Sequence, residues 1–324
     1  MLLRLWNWLP PSERAEPVVQ RAPARPHDPA LPLTVLTWNL QFAGTRRQHY
    51  FYDGGPDTSP TPENVRDGMA AIQRVLNEQR AAGLDIALLQ EVDRDSARTG
   101  RIDQLATFVE GWENWVSTPY YRSLFVPHPI PHPLGRIDLH EAIVARCALG
   151  TTRRIALPGL QEPPLRRAFN LHRALLTSAL PLADGRRLHV AVTHLSAFSR
   201  GDGTMGRQVD VIRRWMESCV DDPFVLGGDL NLLAPGDDRT RLGKDAGEYL
   251  EDVIGRLTDV ADRVPGLGEH TYLPPGAPRP DRTLDHLFVS RGVSIEHHRV
   301  VEVPAWLSDH WPVLARLRIA PKTR

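Results

Sequence analysis

Phe224-Val225-Leu226-Gly227-Gly228-Asp229-Leu230-Asn231 is a short apolar run that closes on two glycines, a carboxylate and a carboxamide. Residues 224–226 have the composition of a buried strand, and turn-forming residues stop it. In extended backbone Asp229 and Asn231 share one face, because side chains alternate with a period of two. The glycine pair permits a sharp turn and close backbone approach. The pattern repeats outward from here. Residues 33–38 deliver Asn39, residues 86–89 deliver Gln90 and Glu91, and residues 188–193 deliver His194. Asp309 and His310 immediately precede the run 312–319, and 142–145 and 284–289 are further apolar runs. Were these runs neighbouring strands, their polar ends would meet in one cluster at a single sheet edge.

Two helices stand between the runs. Residues 64–82 place Val65, Met69, Ile72, Val75 and Leu76 at helical spacing, with Gly83 at the stop. Residues 206–220 do the same with Val209, Ile212, Trp215, Met216 and Cys219. Mixed strands and helices predict an α+β or α/β domain. Two long irregular stretches remain, 42–62 and 122–138, and loops of that length in a compact domain are usually functional or mobile.

Composition narrows the class. The chain has 324 residues and balanced charge, 39 basic against 39 acidic, so no global basic field points to nucleic acid. Lys244 and Lys322 are its only lysines, an arginine-for-lysine usage typical of GC-rich coding sequence. Two cysteines, Cys147 and Cys219, exclude a disulfide scaffold and a cysteine zinc cluster. No run approaches the roughly 20 apolar residues of a membrane span. Prolines 10, 11, 17, 23, 26, 29 and 32 mark residues 1–33 as a flexible arm ahead of a catalytic domain over 34–324. Trp6 and Trp8 give that arm a weak affinity for a membrane boundary. A cytoplasmic protein without an obligate protein partner is expected.

The polar cluster suits metal-assisted attack on a phosphate ester. Glu91 and Asp309 are hard oxygen ligands for Mg²⁺ or Mn²⁺, and Asn39 adds a neutral oxygen. Imidazoles can donate to a phosphoryl oxygen as its charge grows. A carboxylate near phosphorus can orient and deprotonate the attacking water. No Gly-x-Ser-x-Gly elbow offers a serine hydrolase instead.

Trp38-Asn39, Gln90-Glu91, His194-Leu195, Gly228-Asp229-Leu230-Asn231, Leu284-Asp285-His286 and Ser308-Asp309-His310 resemble, in that order, the blocks of the endonuclease/exonuclease/phosphatase superfamily. The resemblance covers roughly residues 33–319. It implies a four-layer αββα sandwich of two mainly antiparallel sheets with helices outside, and divalent-metal-dependent hydrolysis by in-line attack of water. By the same resemblance Asn39, Glu91 and Asp309 are metal-site residues. Asp229 positions the water, Asn231 holds phosphate, and His310 binds phosphate under the orientation of Asp285. His194 matches the second histidine of the deoxyribonuclease and sphingomyelinase branches, and Glu141 is placed to orient it.

Arg98, after the glutamate block, and Arg207, opening the second helix, are candidate substrate-binding residues. Tyr120 and Tyr121 read as packing. The substrate expected is nucleic acid, with a phospholipid or sphingolipid headgroup as the alternative. Leu124, Phe125, Val126, Ile130 and Leu134 make 122–138 look like an apolar flap, which suits the lipid. A binding module that has lost catalysis would lack Glu91, Asp229 or His310, and all three are present.

Overall fold

The computed structural model describes residues 10–163, 166–167, 169–197, 199–219 and 221–321. In chain order the strands are β1 (Glu13–Ala15), β2 (Val19–Gln20), β3 (Leu33–Asn39), β4 (Ile86–Asp93), β5 (Asn114–Val126), β6 (Gly135–Ala145) and β7 (Thr152–Ala156). They continue as β8 (Ala174–Pro181), β9 (Arg187–His194), β10 (Phe224–Asp229), β11 (Asp262–Val264), β12 (Asp285–Val289), β13 (Val293–Val300) and β14 (Val313–Ile319). Two seven-stranded sheets result, ordered β1-β7-β8-β9-β10-β12-β11 and β13-β14-β3-β4-β6-β5-β2. Each holds one parallel pair, β9 with β10 and β3 with β4, and is otherwise antiparallel.

The sheets pack face to face. Val35, Ile86 and Leu88 of one meet Val190, Val225 and Leu287 of the other in a single buried cluster. Outside the second sheet, Ile72 and Leu76 of the helix Pro62–Ala81 pack on Leu36, Ala87 and Leu89. Thr61 caps that helix by accepting from the Asn64 amide, and Pro62 supplies a preset first turn. Outside the first sheet, Val209, Ile212 and Met216 of the helix Thr204–Ser218 pack on Ala191, Leu226 and Phe288. The architecture is the expected four-layer αββα sandwich. Gly227 leaves no room for a side chain: a Cβ there would lie 2.7 Å from Leu88 Cδ1 of the facing sheet and from Leu287 Cδ2 of the neighbouring strand.

Two expectations are corrected. Residues 122–138 are no irregular flap; they belong to the β5–β6 hairpin, and only 127–134 connect the strands. The stretch from Glu13 is no loose arm either. β1 pairs with β7 at the edge of one sheet and β2 with β5 at the edge of the other. Glu16 between them is buried and accepts from Thr118 Oγ1 at 2.7 Å. The prolines forbid a helix but not edge strands, where a missing N–H costs no ladder bond. Trp6 and Trp8 lie outside the described residues. Among the described residues no helix is long and apolar enough to cross a membrane.

Candidate active site

The parallel strand pairs place the chemistry. β9 and β10 end in register at His194 and Asp229, and Asp229 is paired on its other side with Asp285 of β12. The pairing of β3 with β4 ends at Asn39 and Gln90, and Glu91 follows within β4. The segment Ser308-Asp309-His310 is tied to the end of β3. Ser308 Oγ donates to the Asn39 carbonyl at 2.9 Å, and Trp38 Nε1 donates to the His310 carbonyl at 3.0 Å. The opposing sheet edges therefore bring Asn39, Glu91, His194, Asp229, Asn231, Asp309 and His310 to one cavity, with Asp285 directly behind His310.

Asp229 is the hub. Its Oδ2 accepts from Asn39 Nδ2 at 3.0 Å, and it lies 3.2 Å from His194 Nε2 and 3.5 Å from His310 Nε2. Its Oδ1 accepts from the Asn231 amide at 3.0 Å. Burial alone would raise the carboxyl pKa, but His310, His194 and Asn39 outweigh it and hold Asp229 well below the usual range. Asn39 also donates to Glu91 at 3.3 Å, while its oxygen accepts from the Gln41 amide. In this arrangement it bridges two carboxylates and turns its oxygen away from them.

The two histidines differ in electrostatic setting. His310 Nδ1 is 2.7 Å from Asp285 Oδ2, so both ring nitrogens face carboxylates and both act as donors. Burial opposes the charge, yet Asp285, Asp229 and Asp309 raise the His310 pKa well above its ordinary value. His194 is pushed down, by burial first and then by Arg173. Neutral His194 that donates to Asp229 from Nε2 leaves Nδ1 as an acceptor, and Tyr120 Oη stands 3.3 Å from it. Tyr120 thus takes the place expected of Glu141. Glu141 is fully buried, and burial pushes its pKa up strongly against Arg154, Arg173 and the Leu176 backbone.

The carboxylates at the cavity floor are buried and act on one another. Burial pushes Asp309 up to about 7, against His310, with Glu91, Asp53 and Asp229 adding to the rise. Asp53 goes up to about 6, through burial and then Glu91. Hard oxygen donors gathered in one cavity fit a divalent cation of the Mg²⁺ class. Asp229, Asp285 and His310 also offer ligand atoms within 4.8 Å of one another. The tight His310–Asp285 pair already saturates the inner half of that group, so Glu91 and Asp309 are the better-fitting donors.

The remaining candidates divide. Arg98 lines the cavity, but its Nε and Nη2 donate to Asp93 at 2.9 and 3.1 Å and its guanidinium lies 3.8 Å from the Phe42 ring centroid. It is a fixed charge beside Glu91 rather than a free clamp. Arg207 does not line the cavity; it donates to Thr204 Oγ1 at 2.7 Å and to the Asp202 carbonyl at its own helix start. Sequence reasoning missed Arg173, Asp53 and Tyr272. Arg173 is buried, lines the cavity, and keeps Nη1 without a hydrogen-bond partner among the described residues. Its signal was its place immediately before the apolar run that forms β8. Tyr272 meets the His310 ring edge-on at 5.1 Å.

The profile of the Endonuclease/Exonuclease/phosphatase family matches residues 36–310. Among solved structures, an endonuclease/exonuclease/phosphatase from Beutenbergia cavernae DSM 12333 superposes with TM-score 0.57 at 23% identity, covering 89% of this chain and 72% of that one. The human Nocturnin catalytic domain gives 0.54 at 16% identity, with 94% and 97% covered. A mannosyl-6-phosphatase of Bacteroides thetaiotaomicron VPI-5482 gives 0.54 at 16% identity, with 88% and 99% covered. At these identities the likeness is one of fold. No curated protein matches the chain significantly.

Proposed function

The chain belongs to the endonuclease/exonuclease/phosphatase family and is a phosphoester hydrolase, and we propose that it cleaves phosphodiesters by in-line attack of a water oriented by Asp229. The observation that carries this reading is the geometry around Asp229: its Oδ2 lies 3.2 Å from His194 Nε2 and 3.5 Å from His310 Nε2, and His310 Nδ1 is in turn 2.7 Å from Asp285 Oδ2. Asp229 orients the water and accepts its proton. His310, held charged by Asp285, donates to the phosphoryl oxygen on which negative charge develops. His194, fixed as an Nε2–H donor by Tyr120, keeps Asp229 in place. Asn231, whose Nδ2 donates to the Leu195 carbonyl at 3.1 Å, stands beside the phosphate position.

Family members are generally divalent-metal dependent. Glu91 and Asp309 would hold Mg²⁺ or Mn²⁺ here, and such a cation, when bound, neutralises charge on the phosphoryl group and lowers the pKa of coordinated water. The solved relatives named above range from a nocturnin domain to a mannosyl-6-phosphatase, so fold alone selects no substrate. A second reading, cleavage of a lipid headgroup, is favoured by Leu124, Phe125 and Ile130, which stand 52%, 41% and 85% exposed on the hairpin beside the cavity mouth.

The test is hydrolysis of bis-p-nitrophenyl phosphate by the purified chain after chelation and after repletion. Activity should vanish with the chelator and return with Mg²⁺ or Mn²⁺. Turnover that survives chelation would overturn the metal assignment.

A further inference from the structure

The cavity is far larger than the phosphate chemistry needs. It encloses about 1350 Å³, above the roughly 300–1,000 Å³ typical of small-molecule sites. Its wall is unequal. On one side Phe42, Phe51 and Tyr52 of the connection between β3 and the helix Pro62–Ala81 face Val126 and Leu134 of the β5–β6 hairpin and Leu171 ahead of β8. These segments brace one another: the Phe51 and His128 rings meet at 5.9 Å, and Tyr121 Oη donates to the Phe169 carbonyl at 3.0 Å.

The charged residues do not suit a polyanion. Among the described residues seven carboxylates line the cavity against five arginine or lysine side chains. Two of those five are already paired, Arg98 with Asp93 and Arg282 with Asp281 and Asp245. A polynucleotide brings one phosphate per nucleotide and is normally gripped by several Lys and Arg side chains. Beyond the catalytic cluster, Asp53, Glu162 and Glu248 line the same cavity as Arg166, Arg173 and Lys244, so that lining is mixed in sign rather than basic.

Resting on the phosphodiesterase reading, we infer that the substrate carries a single phosphate on an apolar, uncharged alcohol, and that this alcohol packs against the Phe51–Leu134 wall. Free aryl or alkyl esters and lipid diesters share that chemistry.

Calorimetric titration of the full chain in Mg²⁺ buffer with diphenyl phosphate and with dimethyl phosphate tests it. The phenyl ester should bind about tenfold or more tightly, from the apolar area it buries. Phe51→Ala and Leu134→Ala, on different segments, should each narrow that ratio. Equal affinities would overturn the inference, as would a single-stranded decanucleotide that binds more tightly than diphenyl phosphate and loses affinity steeply with salt. A phenyl preference without hydrolysis of any ester would leave this inference standing and sink the reaction reading. Hydrolysis without the preference would do the reverse. Displacement of diphenyl phosphate by sphingomyelin-containing vesicles would assign the alcohol to a lipid; a bound phenyl ester unaffected by vesicles would assign it to a free ester.

Discussion

At Glu91 the backbone turns left-handed, with φ at 56°, where the β4–β6 register slips between Leu89 and Val92. Asn231, just past β10, does the same at φ 50°. Such conformations cost about 1–3 kcal/mol in a non-glycine residue and persist where surrounding structure over-determines them. Both residues face the cavity, so the strain falls where side chains must be aimed across the run of a strand. Strict alternation from residues 86–89 would not foretell this. It marks Gln90 and Glu91 as polar, but Gln90 is fully buried and donates to Thr37 Oγ1 and the Leu88 carbonyl, while the bulge alone turns Glu91 outward. Asp229, Asp309 and His310, which line one cavity, stand out in the sequence because each sits at a boundary of an apolar run. Tyr120 was not, because nothing in a strand interior separates a packing tyrosine from one whose hydroxyl meets His194. Tyr120→Phe removes the donor to His194 Nδ1 and should lower kcat about fivefold with KM little changed, from the loss of one hydrogen bond. Steady-state kinetics on the metal-replete enzyme check this, and an unaltered kcat would return the tyrosine to a packing role.

The β5–β6 hairpin shows what holds an element that sequence reading left as a loop. Its turn carries four prolines, at 127, 129, 131 and 133, and its strands mix Arg122, Ser123, Arg136 and Asp138 with apolar residues, which blurs the period of two. The pairing is instead secured by charge. Arg122 and Asp138 stand directly opposite in the register, with Nε to Oδ1 at 2.7 Å and Nη2 to Oδ2 at 3.0 Å, and His140 Nε2 lies 2.9 Å from the same carboxylate. Burial would raise the Asp138 pKa, but the hydrogen bonds from His140 and Arg122 prevail and bring it to about 2 from 3.8. A carboxyl depressed by folding stabilises the native state fully above its unfolded pKa, and the contribution is lost as pH falls through the folded value. The hairpin should therefore loosen between about pH 4 and pH 2. Thermal melts at pH 6 and pH 2.5 should show a larger fall in Tm for the wild type than for Asp138→Asn. Parallel falls would assign the acid loss elsewhere.

Across the whole molecule, zero net charge conceals a division of labour. Many arginines are engaged in ion pairs away from the site, such as Arg94 with Asp103, Arg241 with Asp237 and Arg318 with Glu296, and the site gathers carboxylates instead. The segment 13–20 adds an edge strand to each sheet and closes the sandwich from outside. A proline-rich composition could not reveal this, since pairing with a distant edge leaves no local pattern. The central claim is that one carboxylate at the junction of the sheets orients the attacking water while an imidazolium beside it receives the developing charge. The most direct measurement is metal-dependent turnover of bis-p-nitrophenyl phosphate by Asp229→Asn beside the wild type, with folding verified by thermal melt. The account predicts a folded variant whose kcat falls on the order of 10³-fold, from losing the oriented water and its proton acceptor. A folded Asp229→Asn enzyme that turns over near the wild-type rate would contradict it.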